Sequence, residues 1–283
     1  MDITLSSQLP LQESVVRWDR KPFISPLVDV VDRGRATGLV LVDGDEVHLL
    51  HWEGGHVSVP ENNAYALELN TWHRSREGSA GGGQSRTTIS HHDRQDAHEA
   101  EHRSRFLSAA ASAVETRLPE LGWERIVVVA APGTLEPFLE ALPEHARGRV
   151  IAQIESHITG LDPQAVGEHL EEELLAAWQN QTQQVIADAI GRSRAGGAGA
   201  TGVAETLDAL SQGRVAHLVY DPALVIVEDQ VGPQVTAVLG ETTPEMLLER
   251  VVEHAIETDA TVSALPGDQT LQDAGGIVAV LRW

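Results

Sequence analysis

The sequence predicts an α/β protein of two α/β domains, and three observations carry that reading. The chain has 283 residues, enough for two domains that each bury a core. Short β-rich runs separated by turn signals fill residues 37–59, the continuous apolar run Arg125–Ala130 has the character of a buried central strand, and Val215–Tyr220 reads as a further strand. Ahead of Arg125, residues 90–118 contain no glycine or proline and are rich in Ala, Glu and Arg, which predicts one long helix. The expected division is an irregular lead-in over 1–36, a mixed-sheet domain with a long helix over 37–160, and a compact αβα domain over 161–283.

Each element follows from local pattern. Pro10, Pro22 and Pro26 keep the lead-in irregular apart from one short helix. From Thr37 the runs Gly38–Val42, Glu46–Trp52 and His56–Val59 are separated by Asp43-Gly44-Asp45 and Glu53-Gly54-Gly55, the signature of an antiparallel meander. A further extended run is expected at Ala64–Leu69. The long helix that follows is polar in its first half and apolar on one face over Phe106–Leu118, with Pro119 and Gly122 closing it. Pro132-Gly133 opens a helix through Leu142, and Arg149–Glu155 is the next strand. Residues 163–194 form a long acidic helix. The glycine-rich stretch 194–200 has no polar tip residue and is expected to be a linker. Helices at Val203–Ser211 and Pro244–Glu257 and strands at Val215–Tyr220, Thr261–Leu265 and Gly275–Leu281 complete the αβα alternation.

Charge and composition narrow the function. The formal net charge is −22, and the chain contains no cysteine, hence no disulfide framework or thiolate metal site. No stretch approaches the ~18 apolar residues of a membrane span, and Met1–Leu5 lacks the basic and apolar regions of a signal peptide, so no membrane partner and a cytoplasmic location are expected. The charge is uneven: residues 1–150 hold 22 acidic and 15 basic side chains, residues 151–283 hold 20 and 5. Within 70–94 the balance reverses, with Arg74, Arg76, Arg86 and Arg94 against Glu77 and Asp93. A cationic window on an acidic protein suits contact with phosphates, although a mixed solvated loop has the same composition. Aromatic residues make up only 4%, against a base-stacking platform.

Inside that window lies Gly78-Ser79-Ala80-Gly81-Gly82-Gly83-Gln84-Ser85-Arg86. Consecutive glycines open backbone angles closed to other residues and can present one side chain, Gln84, at a loop tip; the same composition describes a flexible linker. A second pattern, His98-Glu99-Ala100-Glu101-His102, matches the His-Glu-x-x-His arrangement that places two imidazoles on one helix face for zinc. Its charged neighbours favour an exposed helix face with i,i+4 ion pairs instead, and Glu115, Glu120 and Glu124 are only guesses at a third ligand. No phosphate-binding Gly-x-x-x-x-Gly-Lys and no Gly-x-Ser-x-Gly nucleophile elbow occur.

The order meander, Gly82-Gly83-Gln84 loop, long helix, strand, helix, strand resembles the middle domain of archaeo-eukaryotic peptide-chain release factors and of Pelota. The phrases Leu207–Val215, Glu257–Val262 and Gly275–Arg282 resemble the C-terminal domain of the same proteins, a fold shared with kink-turn-binding ribosomal proteins. The resemblance covers roughly 37–283 and is closest to the bacterial branch numbered ten. It departs after Gln84, where the chain runs Ser85-Arg86-Thr87-Thr88-Ile89 rather than towards an Arg-Phe pair. Residues 1–36 are too few for a codon-reading domain. The resemblance implies codon-independent hydrolysis of the peptidyl-tRNA ester in the ribosome. Gly82, Gly83 and Gln84 would be catalytic, with the Gln84 amide N–H facing the developing oxyanion or the leaving ribose. Arg74, Arg76, Arg86 and Arg94 would contact RNA, with no cofactor or metal required. It also implies the ribosome and peptidyl-tRNA as partners and a translational GTPase for the acidic second domain. The alternative within the same family is a ribosome-binding factor of the Pelota type without catalysis; the lesser alternative is a zinc hydrolase using His98 and His102.

Overall fold

The computed structural model describes residues 9, 23–43, 46–61, 64–66, 89–156, 162–240 and 243–283, with the backbone alone for 64–66, 89–100 and 228. The chain divides into two compact units, Ala36–Leu174, and Met1–Arg35 together with Leu175–Trp283.

The first unit is a mixed sheet backed by a long helix. Strands β1 (Thr37–Asp43), β2 (Glu46–Glu53) and β3 (His56–Ser58) run antiparallel in sequence, and β4 (Ala64–Ala66) also pairs with β2. Helix α2 (Ile89–Leu121) leads to β5 (Arg125–Ala130), then α3 (Leu135–Ala141), α4 (Glu144–Arg147) and β6 (Val150–Glu155). The sheet order is β3-β2-β1-β5-β6, with β5 parallel to both β1 and β6. Every residue of β5 is buried, as its uninterrupted apolar run requires. The meander and the two parallel strands lie where local pattern places them.

Among the described side chains of α2 the buried ones are Phe106, Leu107, Ala110, Ala111, Val114 and Leu118, one stripe packed with Val40, Val42, Leu49, Ile126 and Val128. The helix does not stop at Pro119 but runs two residues further. Gly122 adopts φ +64° and the Trp123 N–H bonds back to the Leu118 carbonyl at 3.2 Å, so a left-handed glycine rather than the proline ends it. The helix expected from Pro132 begins at Leu135, because Gly133 at φ +78° sits in a turn.

The acidic helix expected over 163–194 is two helices. Helix α5 (Pro163–His169) is N-capped by Asp162, whose Oδ1 accepts from the Gln164 and Ala165 N–H groups at 3.1 and 3.0 Å. Buried Leu170 separates it from α6 (Glu171–Arg194), within which the division between the units falls.

The second unit is an αβα sandwich. It contains α1 (Ser25–Arg33), most of α6, β7 (Gly199–Thr201), α7 (Gly202–Ser211), β8 (Val215–Tyr220), a 3-10 turn (Glu228–Gln230), α8 (Pro233–Leu239), α9 (Pro244–Glu257), β9 (Thr261–Ala264), α10 (Gln269–Asp273) and β10 (Ile277–Leu281). The sheet order is β7-β10-β8-β9; β10 is antiparallel to β7 and β8, and β8 is parallel to β9. Strand alternation divides the core. Leu218, Tyr220, Ile277 and Ala279 face α7, α8 and α9 through Leu207, Leu210, Leu239 and Val251, while Val219 and Val278 face α6 and α10 through Trp178, Ile186 and Leu271.

Two features of this unit differ from the sequence expectation. The glycine-rich stretch 194–200 is a tight helix-to-strand turn rather than a linker. Gly196 takes φ +67°, the Gly197 N–H returns to the Arg192 carbonyl, and a Cβ on Gly199 would lie 2.3 Å from the Ala189 carbonyl oxygen. Glycine is needed there for close backbone approach. Second, α1 is built into this core. Val28 packs with Leu218 and Val251, and the Trp178 indole N–H donates to Asp32 at 3.2 Å.

The start of α1 is held by a buried carboxylate from α9. Glu249, 2% exposed, accepts the Ile24 N–H and the Ser25 N–H, the latter at 3.2 Å to Oε2. Nearby, Tyr220 is fully buried and its hydroxyl donates to the Ser25 carbonyl at 3.4 Å. Burial first, then the negative charges of Glu249 and Asp29, push the Tyr220 phenol well above its ordinary range. The unfolded chain loses this proton near pH ~10. The contribution is therefore complete at neutral pH and is lost as pH climbs above that point, because the folded state holds the proton longer. The chain has two tyrosines, Tyr65 and Tyr220. An ultraviolet phenolate titration of the native protein is expected to show a component that ionises only with alkaline unfolding, and Tyr220→Phe is expected to remove it.

Candidate functional site

The catalytic assignment rests on residues at the junction between the meander and α2. Gly82, Gly83 and Gln84, with Arg74, Arg76 and Arg86, lie outside the described residues. Arg94 and His98 are placed by their backbone in the first three turns of α2, which starts at Ile89, five residues after Gln84. Their side chains, and that of Glu99, lie outside the described residues. His102 is half-buried on the same helix.

The described part of α2 shows what surrounds the His-Glu-x-x-His pattern. Arg105 pairs with Glu101 at i,i+4, both side chains more than half exposed, as a solvated helix face requires. Of the residues considered as a third metal ligand, Glu115 pairs with His145 at 3.0 Å and Glu120 with Arg117 at 3.1 Å. Among the described residues there is no group of three or more His, Cys, Asp or Glu side chains arranged to hold a metal ion. Among them, too, no helix is long and apolar enough to cross a membrane.

The far end of α2 is anchored by a buried polar group that local pattern does not reveal. Trp123, fully buried, donates its indole N–H to His51 Nδ1 on β2 at 2.9 Å, and the two rings lie nearly parallel with centroids 6.4 Å apart. That bond leaves the His51 proton on Nε2, which faces Glu53 at 3.3 Å. Arg149 on the approach to β6 donates to the Trp123 carbonyl and, at 3.0 Å, to His145 Nε2, so His145 turns its Nδ1–H to Glu115. The carbonyl of Glu61, in the segment between β3 and β4, accepts from Arg117 on α2. The sheet, the β3–β4 connection and the last turns of α2 are thus cross-linked by Trp123, Arg117 and Arg149. This gives the helix that follows the Gly-Gly-Gln segment a fixed base. The clue in the sequence was Trp123 directly after the helix-ending Gly122.

Residues 22–190, more than half of the chain, match the family model described as bacterial archaeo-eukaryotic release factor family 10. The match includes Gly82-Gly83-Gln84 and all four arginines of the cationic window. No curated protein matches the chain. Among solved structures, the chain is similar to S. cerevisiae Dom34, described as a translation termination-like factor, with 11% identity over 90% of this chain and 64% of that one, TM-score 0.47. It is similar to archaeal Pelota in a ribosome-bound assembly, with 17% identity over 87% and 61%, TM-score 0.46. It is also similar to the archaeal translation termination factor aRF1, with 14% identity over 89% and 63%, TM-score 0.30. The chain thus spans less than two thirds of the length of each of these three.

Proposed function

Because the chain belongs to bacterial archaeo-eukaryotic release factor family 10, we propose that it acts on the ribosome in the cytoplasm, as a factor that binds without reading a codon. The match over 22–190 carries this reading. In it, residues 37–160 take the part of the release-factor middle domain. Residues 161–283 take the part of the C-terminal domain, with the fold of kink-turn-binding ribosomal proteins and an acidic surface for a translational GTPase.

Within this function, occupation of the ribosome in the manner of Pelota is the primary role. Arg74, Arg76, Arg86 and Arg94 supply cations for RNA phosphates in a window where bases outnumber acids, on a chain that is acidic as a whole. A second reading is favoured by one observation, the intact Gly82-Gly83-Gln84 ahead of α2. In it the segment enters the peptidyl-transferase centre, the two glycines turn the backbone, and the Gln84 N–H stabilises charge on the ester oxygen as water attacks. The Gln84 side chain excludes or orients other nucleophiles. The ribosome and tRNA provide the rest of the site, so the reaction uses no cofactor.

One experiment separates the two roles. The full chain is mixed with ribosomes carrying labelled peptidyl-tRNA, and both co-sedimentation and peptide release are measured. Co-sedimentation without release identifies a binding factor. Release identifies a hydrolase; Gln84→Pro, which removes the amide N–H, is expected to lower it about 10²-fold, the scale of a lost transition-state contact, and Gln84→Ala, which keeps the N–H and removes only the side chain, to lower it less. Failure of the chain to pellet with ribosomes under low salt, where phosphate contacts are strongest, overturns both.

A further inference from the structure

The second unit holds a cavity of about 390 Å³ at the carboxyl ends of its parallel strands. Tyr220 and Ala264, the last residues of β8 and β9, form its floor, and the turns that follow these strands line it beside the first turn of α1. In α/β sheets this edge is where ligands are held, because the strand ends there diverge into loops.

The wall chemistry is one-sided. Phe23, Tyr220 and Leu248 contribute apolar surface; Asp29, Asp221 and Gln272 contribute polar groups. Among the described lining residues there is no lysine, arginine or histidine. Asp29 is paired with Arg33 from its own helix. Asp221 is different. It is 5% exposed, and its carboxylate accepts from the Ala223 N–H at 2.9 Å and from Gln272 Nε2 at 3.3 Å, both neutral donors. A carboxylate oxygen pair has about four acceptor sites, so Asp221 retains capacity, and a buried charge whose donors among the described residues are all neutral is costly. Glu249 lies behind the Ser25 N–H; burial first, and then the charges of Glu249 and Asp29, raise the proton affinity of Tyr220 at the floor. The Tyr220 oxygen, donating at 3.4 Å to the Ser25 carbonyl, keeps its lone pairs for a donor.

The size excludes a bare metal ion as the natural occupant, since a water-sized guest takes only about 30 Å³. Apolar and aromatic walls around a carboxylate that only neutral donors reach among the described residues suit a charged nitrogen carried on a hydrocarbon stem. We propose that this cavity binds an organic cation, a protonated amine or guanidinium on an apolar stem, with Asp221 as its counter-ion and Tyr220 and Phe23 against the stem. The site does not depend on the ribosomal role. Its ligand is either a free small cation or a basic side chain presented by another protein.

Calorimetric titration of the full chain with agmatine, with a capped Gly-Arg-Gly peptide and with neutral 1-pentanol tests this. Agmatine, the peptide or both are expected to bind, and 1-pentanol at least tenfold more weakly. Asp221→Asn is expected to weaken the cation about tenfold or more, the scale of a hydrogen bond to a charged group. Ala223→Phe, at an exposed position on the rim, is expected to abolish binding by filling the cavity with its charge intact, and circular dichroism checks that both variants fold. Binding of the peptide at least as tight as that of agmatine assigns the ligand to a partner's side chain; binding of agmatine alone assigns it to a small molecule. No binding of either cation at millimolar concentration overturns the proposal. So does equal binding of 1-pentanol, or agmatine binding unchanged in Ala223→Phe.

Discussion

Gly38→Ala is expected to reduce amide-exchange protection in β1 and β5 about a hundredfold, equivalent to about 3 kcal/mol. An alanine in a strand interior ordinarily stabilises relative to glycine, because it loses less backbone entropy on folding. Here sterics reverse the sign. A Cβ on Gly38 would lie 2.3, 2.5 and 2.7 Å from three carbons of the Trp123 indole, well inside van der Waals contact. The indole has no room to yield. Trp123 is fully buried, its indole N–H is bound to His51, its backbone carbonyl accepts from Arg149, and its backbone N–H closes the end of α2 on Leu118. The strand cannot yield either, since Gly38 pairs with His51 on one side and Ile126 on the other. The cost therefore falls at the upper end of the range for overpacking a core. Trp123→Leu in the same chain is expected to restore part of the protection, since the two sites are in contact and their effects do not add. Unchanged protection in the single variant would show that the indole does not lie against β1.

The second large effect is expected at Glu249. Glu249→Ala removes the acceptor for two N–H groups at the start of α1 and leaves a cavity beside Tyr220. Hydrogen bonds to a charged group contribute about 1.5–3 kcal/mol each, less what water recovers at this half-buried end. A net loss of about 3 kcal/mol is expected, read as about a hundredfold faster exchange at Ile24 and Ser25 and through the α1 segment. Glu249→Gln keeps one carbonyl acceptor and is expected to fall between the two. Because α1 forms a wall of the carboxylate-lined cavity, Glu249→Ala is also expected to weaken agmatine binding while Glu249→Gln retains most of it. Equal exchange at α1 in all three proteins would show that the Glu249 carboxylate does not hold the helix.

Much of the fold is legible in local pattern. The runs Arg125–Ala130, Val215–Tyr220 and Pro244–Glu257 form their elements at the expected boundaries, because each follows closely on a glycine or opens on a proline and has one consistent apolar pattern. The errors share one cause. Pro119 reads as a helix end, yet the α2 stripe through Leu118 keeps packing on the sheet, and the turn waits for Gly122. Residues 194–200 read as a linker, yet Gly199 is there to let β7 approach the end of α6. Helices α8 and α10 and strand β7 were not expected, since each is short and defined chiefly by what it packs against.

The same boundary separates the two candidate sites. Gly82-Gly83-Gln84 and the arginines around it form one contiguous stretch, so a linear pattern is enough to recognise them and the family they indicate. The cavity is assembled from Phe23, the turn at 221–223, the turn at 266–267 and Gln272, and no linear pattern connects these. Element types, the long helix and the Gly-Gly-Gln segment follow from short-range hydrogen bonding and periodicity, which act over a few residues. The membership of α1 in the second unit, the clash that makes Gly38 obligatory and the placing of the Asp221 carboxylate with only neutral donors among the described residues were decided by packing alone. Glu249 meets Ile24 across 225 positions, and such a contact exists only once the sheet has brought both ends of the chain together.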